Sequence, residues 1–187
     1  MTTTRQLSTK KLILTSMFTA IICVMSQITI PIQPIPFSLS LLAIFLTGML
    51  LEPKYAFFAS LAYILLGAFG LPVFAGLKGG LHTLTGMTGG FIMAYPLMTL
   101  TTSIFNRLSR RIKARSISRN ICRIAISSFG MILSLAICYS IGTLWFSYVS
   151  GSTIGYSLTV CVLPFIAFDL LKVALAVGFG SILSKLI

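Results

Sequence analysis

A chain of 187 residues with 57% apolar and only 9% charged side chains is not an ordinary soluble domain, which carries about 25% charged residues. Its mean hydropathy of +1.03 points to an integral membrane protein, and its length suits one compact domain over residues 1–187 rather than two. The net charge of +12 does not indicate a nucleic-acid partner, because the cations sit mostly at the ends of apolar runs, where topology determinants lie.

Following Arg5, Lys10 and Lys11, residues 12–30 are the first expected span, long enough to cross a bilayer. The run lacks a small-x-small cleavage site and more spans follow, so it reads as a retained helix rather than a leader. Ser16 and Ala20 form a small-xxx-small pair, suited to close helix approach within the bundle or against a second membrane protein. Pro31, Pro34 and Pro36 then break the helix and favour an extended path packed into the bundle mouth. Residues 38–51 are the second span, ending at Glu52-Pro53-Lys54, where Glu52 and Lys54 read as a solvated turn. Residues 55–71 are the third.

Residues 72–90 hold six glycines, which argues against a regular helix. The stretch is nearly uncharged, so it is not a solvent loop either. Irregular backbone of this kind belongs where protein buries it or where it lines a cavity, and glycine lets a ligand approach the backbone. The fourth span covers 88–105. Residues 106–123 carry seven Lys and Arg and separate it from the fifth span, 124–149. A small uncharged connection leads to the sixth, 158–187.

The expected fold is therefore all-α: six transmembrane helices in one bundle. Twelve of the fourteen Lys and Arg fall on one side of that arrangement, which puts both termini in the cytoplasm. Within the sixth span lie Asp169, one of only two acidic residues, and Lys172 three positions later. On a helix they share a face. Ionisable groups inside a span are costly, face a bundle interior or a wet cavity, and mark a functional site; a structural ion pair between helices is the competing reading. Asp169 precedes Lys185 by sixteen residues, about 24 Å of helix. In a core about 30 Å thick that places the carboxylate in the outer half, within reach of the glycine-rich segment.

Catalysis has little to work with: two acids, one histidine and no nucleophile–base pairing. Cys23, Cys122, Cys138 and Cys161 read as small apolar packing residues, and no metal-ligand spacing exists. No Gly-x-x-x-x-Gly-Lys-Ser/Thr motif is present, so ATP hydrolysis by that route would need a partner.

Pro34-Ile35-Pro36-Phe37-Ser38-Leu39, Leu71-Pro72-Val73-Phe74-Ala75-Gly76, Gly79-Gly80-Leu81, Gly86-Met87-Thr88-Gly89-Gly90-Phe91 and Pro164-Phe165 with Asp169 and Lys172 together resemble the BioY family. Those are the biotin-specific S components of energy-coupling factor (ECF) transporters. The resemblance runs from the first span to the last. It implies a biotin site near the outer surface and a partner module of one membrane-embedded coupling protein and two ATPases. It also implies a multi-pass location in the cell membrane, with biotin as substrate and no cofactor. The coupling protein would dock on the first helix, where the usual Ala-xxx-Ala pattern reads Ser16-xxx-Ala20. Three positions depart from the family pattern: Ser40 where Gln is usual, Met87 where Pro is usual, and His82 where a small residue is common.

The residues suit the implied ligand. A ureido ring offers two N–H donors and a carbonyl acceptor; a carboxylate only accepts hydrogen bonds and an ammonium only donates, so Asp169 and Lys172 match its edge. The valerate carboxylate needs a cation, and the outer face offers Lys78. Phe74, Phe91 and Tyr95 are candidates to wall the thioether ring, and Gly79 and Gly89 for the close-approach backbone. His82 reads as a rim residue. An S component for another small vitamin such as thiamine, and a stand-alone facilitated biotin transporter, are the alternatives.

Overall fold

The computed structural model describes residues 9–30, 35–111 and 116–183, with 116–120 as helical backbone only. The elements are α1 Thr9–Gln27, β1 Thr29–Ile30, β2 Phe37–Ser38, α2 Ser40–Leu50, α3 Pro53–Ala68, α4 Leu81–Thr85, α5 Gly89–Met93, α6 Tyr95–Arg110, α7 Ser116–Ser150, α8 Ile154–Cys161 and α9 Leu163–Leu183. Thr9–Gln27, Ile121–Ser150 and Leu163–Leu183 are long and apolar enough to cross a membrane, while α2 and α3 are apolar but shorter. Pro31, Pro34, Arg5, Lys113, Arg115 and Lys185 lie outside the described residues.

Two spans expected to be continuous are broken. The 88–105 span divides at Ala94 into α5 and α6, and the helix around 158–187 divides at Val162 into α8 and α9. Each break falls two residues before a proline, Pro96 and Pro164. A proline ring clashes with the carbonyl four residues back and supplies no N–H, so the helix on its N-terminal side stops short. The connection expected at 150–157 is correspondingly shorter, because α8 already starts at Ile154. Pro53 occupies the first turn of α3, where its missing N–H costs nothing. A two-stranded hairpin, pairing Thr29 with Ser38 and Ile30 with Phe37, is a further element that hydrophobic periodicity did not signal.

Helix α6 organises the interior. Its buried face runs Tyr95, Met98, Thr99, Thr102, Ser103, Asn106 and Ser109, at helical spacing. The hydroxyls pair with neighbouring helices: Thr99 with Ser60 of α3 at 2.9 Å, Thr102 with Ser134 of α7 at 3.2 Å, Ser109 with Ser127 of α7 at 3.2 Å. Ser103 donates to the Leu51 carbonyl at 2.6 Å, just past the end of α2. Lipid tails offer no hydrogen bonds, so polar groups turn inward and join helices instead. Phe45, Tyr63, Met98 and Met131 fill the space around this seam.

The two ends of the bundle differ in charge. At one end Glu52 accepts from Lys11 at 2.7 Å and lies 3.5 Å from an Arg107 nitrogen. The expected solvated turn is thus, at Glu52, a half-buried tie between α1, the start of α3 and α6; Lys54 is exposed. At the other end the Gln27 side chain, closing α1, donates to the carbonyls of Pro72 at 3.2 Å and Phe74 at 3.3 Å and accepts from the Leu77 N–H at 3.0 Å. It pins the first part of the glycine-rich segment beside the hairpin.

Candidate functional site

At the hairpin end a cavity of two lobes opens between the helices. The lobes share Ile35, Pro36, Ser38, Ser40, Phe91 and Tyr95 in their walls. They enclose about 460 and 560 Å³ of non-atom space, counting the part open to solvent.

The first lobe is built on α9. Asp169 and Lys172, one turn apart, present side chains only 2% and 4% exposed. The Lys172 ammonium donates to Asp169 Oδ1 at 2.8 Å and to the Ser38 carbonyl at 2.8 Å, and it sits 4.0 Å from the centre of the Phe37 ring. Tyr139 of α7 donates its hydroxyl to Asp169 Oδ2 at 2.6 Å. A carboxylate oxygen has two lone pairs and an ammonium three N–H groups. Counted that way, each Asp169 oxygen keeps a second acceptor position and Lys172 keeps a third donor. Both side chains line the cavity.

From the pair a polar strip leads across the lobe boundary: Ser38 Oγ to Ser40 Oγ at 2.6 Å, and Ser40 Oγ to the Tyr95 hydroxyl at 2.9 Å. Ser40 is therefore a buried part of the wall that joins the two lobes.

The second lobe carries Lys78, Phe74, Tyr63, Thr83 and Thr88. Phe74 and Lys78 exchange backbone hydrogen bonds at 2.9 and 3.3 Å, which closes a tight loop over residues 74–78. Leu77 in that loop has φ +56°, a left-handed conformation uncommon for a non-glycine residue. Phe74 is buried against Gly67 and meets Tyr63 edge-on at 5.5 Å; Tyr63 stacks on Tyr95 at 6.1 Å. Lys78 itself is exposed at the rim.

Of the residues singled out in the sequence, Asp169, Lys172, Phe91 and Tyr95 meet in the first lobe, and Lys78, Phe74, Phe91 and Tyr95 in the second. Gly79 and Gly89 line neither. A Cβ on Gly79 would collide with the Leu71 carbonyl, and one on Gly89 with the Leu84 carbonyl, so the chain's own backbone uses the space expected for a ligand. Phe91 is placed by close helix contact, its ring lying over Gly142 of α7. His82 and Met87 are exposed, His82 within 3.4 Å of the Thr83 hydroxyl. Ser16 and Ala20 lie together on the exposed face of α1. Among the described residues no group of three or more His, Cys, Asp and Glu could hold a metal.

Sequence reasoning missed Tyr139, Phe37, Tyr63 and Gln27. Tyr139 had one available signal: a tyrosine inside an apolar span carries a hydroxyl that, when buried, needs a partner.

Comparison with known proteins agrees along the whole chain. The family model for the BioY family matches residues 1–187. A probable biotin transporter BioY of Pyrococcus horikoshii is 34% identical over 168 residues, covering 90% of this chain and 92% of that protein. The biotin transporter BioY of Thermotoga maritima is 33% identical over 177 residues, covering 95% and 97%. A solved structure, the S component for biotin from an ECF-type ABC transporter, superposes with a TM-score of 0.81 at 27% identity, covering 94% of this chain and 91% of that one. A buried acid–lysine pair on α9, a glycine-rich segment that supplies Phe74, Lys78, Thr83 and Thr88 to the cavity wall and a full-length match converge: the chain belongs to the BioY family, whose members are transporters and not enzymes.

Proposed function

We propose that the chain captures biotin and serves its uptake as the substrate-binding S component of an ECF-type transporter. The observation that carries the reading is the buried Asp169–Lys172 pair with Tyr139 at the wall of a cavity. It offers acceptor and donor capacity side by side, as a cyclic urea requires. The family supplies the substrate class, through relatives named as biotin transporters.

In this reading the ureido ring sits in the first lobe, its N–H groups toward Asp169 and its carbonyl toward Lys172. The bicyclic ring passes Phe91 and Tyr95, and the valerate chain runs along the shared wall into the second lobe. Its carboxylate ends near Lys78. Exposure keeps that last contact weak, since surface ion pairs contribute only about 0–1 kcal/mol.

The chain crosses the cell membrane six times, by α1, α2, α3, α5 with α6, α7, and α8 with α9. The charge asymmetry supports cytoplasmic termini, with the two-lobed cavity opening outward. Uptake is completed by an ECF coupling membrane protein and two ATPase subunits, with the coupling protein against the Ser16–Ala20 face of α1. Isothermal titration of the purified chain with biotin in detergent tests the substrate. Nanomolar binding is the expected result, and absence of heat at micromolar biotin rejects it. Biotin uptake in a biotin-auxotrophic host, with and without a co-expressed coupling module, tests the partner requirement.

A further inference from the structure

The end of the bundle opposite the two-lobed cavity holds a second opening that biotin recognition does not use. It is lined by Lys10, Lys11 and Leu14 of α1, Leu50, Leu51, Glu52 and Tyr55 of the α2–α3 turn, and Arg110 of α6. It encloses about 720 Å³ of non-atom space, again counting the part open to solvent. We propose that this opening holds the phosphodiester headgroup of an anionic phospholipid, with the lysines and Arg110 around the phosphate and the acyl chains against Leu14, Leu50 and Leu51.

Charge balance is the first argument. Four cations, Lys10, Lys11, Arg107 and Arg110, gather at this end around one carboxylate, Glu52, which bridges Lys11 and Arg107. Arg110, the last residue of α6, is, like Arg107, exposed at this end of the bundle. Its guanidinium also lies 3.4 Å from the Met49 carbonyl, which fixes it at the edge of the opening. An anion there relieves mutual repulsion among cations, and a phosphate takes arginine in a bidentate grip.

The walls decide between a lipid and free phosphate. Leu14, Leu50 and Leu51 give the opening an apolar strip along its side, on the flank of α1 that Leu14 presents. A hydrated inorganic ion gains nothing from that strip, whereas acyl chains bury it. Tyr55, its ring 5.5 Å from the Lys11 ammonium, has the amphipathic character of residues at headgroup level. Basic pockets between membrane helices bind anionic headgroups by this chemistry.

Native mass spectrometry of the full chain, titrated with dioleoyl phosphatidylglycerol, dioleoyl phosphatidylcholine or inorganic phosphate, tests the proposal. One tightly held phosphatidylglycerol and none of the zwitterionic lipid are expected. The double variant Lys10→Gln, Arg110→Gln should weaken that adduct about tenfold or more, at 1.4 kcal/mol per decade. Lys54→Gln, which removes an exposed cation close in sequence but outside the opening, should leave it unchanged. The single variant Arg110→Gln, expected to weaken the adduct severalfold, serves should the double variant not fold. Equal loss in Lys54→Gln would reduce the effect to bulk charge, an unchanged adduct in the double variant would remove the site, and displacement by inorganic phosphate would make it a phosphate site. Biotin titration should be the same in all variants, so this proposal and the biotin reading fail separately.

Discussion

Replacing Asp169 with Asn changes the proposed site at its centre. The carboxylate accepts from Tyr139 at 2.6 Å and from Lys172 at 2.8 Å, and it would accept from the ureido N–H groups. Asn keeps the shape but exchanges one acceptor oxygen for a donor and removes the charge. Each hydrogen bond to a charged group contributes about 1.5–3 kcal/mol, or about one to two decades in Kd. Loss of two predicts binding weaker by about 100-fold or more. The same change leaves the Lys172 ammonium buried with the Ser38 carbonyl and the Phe37 ring, and removing one member of a buried pair costs about 3–5 kcal/mol of stability. The two effects are separated by the double variant Asp169→Leu, Lys172→Met. Apolar residues of similar volume often replace a buried pair without loss of stability, so this variant should melt close to the parent and still fail to bind biotin. Isothermal titration and thermal unfolding of the three proteins give both quantities. Parental affinity in Asp169→Asn, or biotin binding by the double variant, would refute the assignment and leave the pair as a structural tie.

Tyr139→Phe removes one donor to the carboxylate, and biotin binding should weaken by about tenfold, the lower bound for a hydrogen bond to a charged group, as read by titration. Lys78→Gln should weaken biotin by no more than about fivefold, given its exposure, and should leave the affinity for biotinamide unchanged. A variant that loses both ligands equally would argue against a carboxylate contact. Gln27→Ala releases three hydrogen bonds to the 72–77 segment, and the biotin dissociation rate should rise, measured by stopped-flow displacement. Gly67→Ala drives a methyl into the Phe74 ring. Overpacking of that kind costs about 1–3 kcal/mol, so both the melting temperature and biotin affinity should fall.

The helical architecture was legible because lipid imposes a simple rule: long apolar runs, few charges, cations at the ends. The breaks at Ala94 and Val162 were written in Pro96 and Pro164 but were outweighed by the continuous apolarity around them. Asp169 and Lys172 stood out because charge is so rare here. Tyr139 did not, since its phenol is equally at home as packing, and only the fold brings α7 against α9. Gly79 and Gly89 show the reverse error. A glycine-rich segment signals close approach of something, and here the neighbour at both positions is the chain's own carbonyl. Glu52 read as solvated because its partners Lys11 and Arg107 lie 41 and 55 residues away in sequence.

Competition against bound biotin by two analogues tests the cyclic-urea recognition most directly. Desthiobiotin keeps the ureido ring and lacks the sulfur; N1′-methylbiotin keeps the sulfur and blocks one ureido N–H. Desthiobiotin keeps most of the apolar surface, so its loss should fall at the low end of the cost of an apolar contact, about 1 kcal/mol, and it should compete within about tenfold of biotin. The methylated analogue should be weaker by about 100-fold or more, because a buried acceptor is left without its donor. Equal competition by the methylated analogue would contradict recognition of the urea by Asp169 and Lys172.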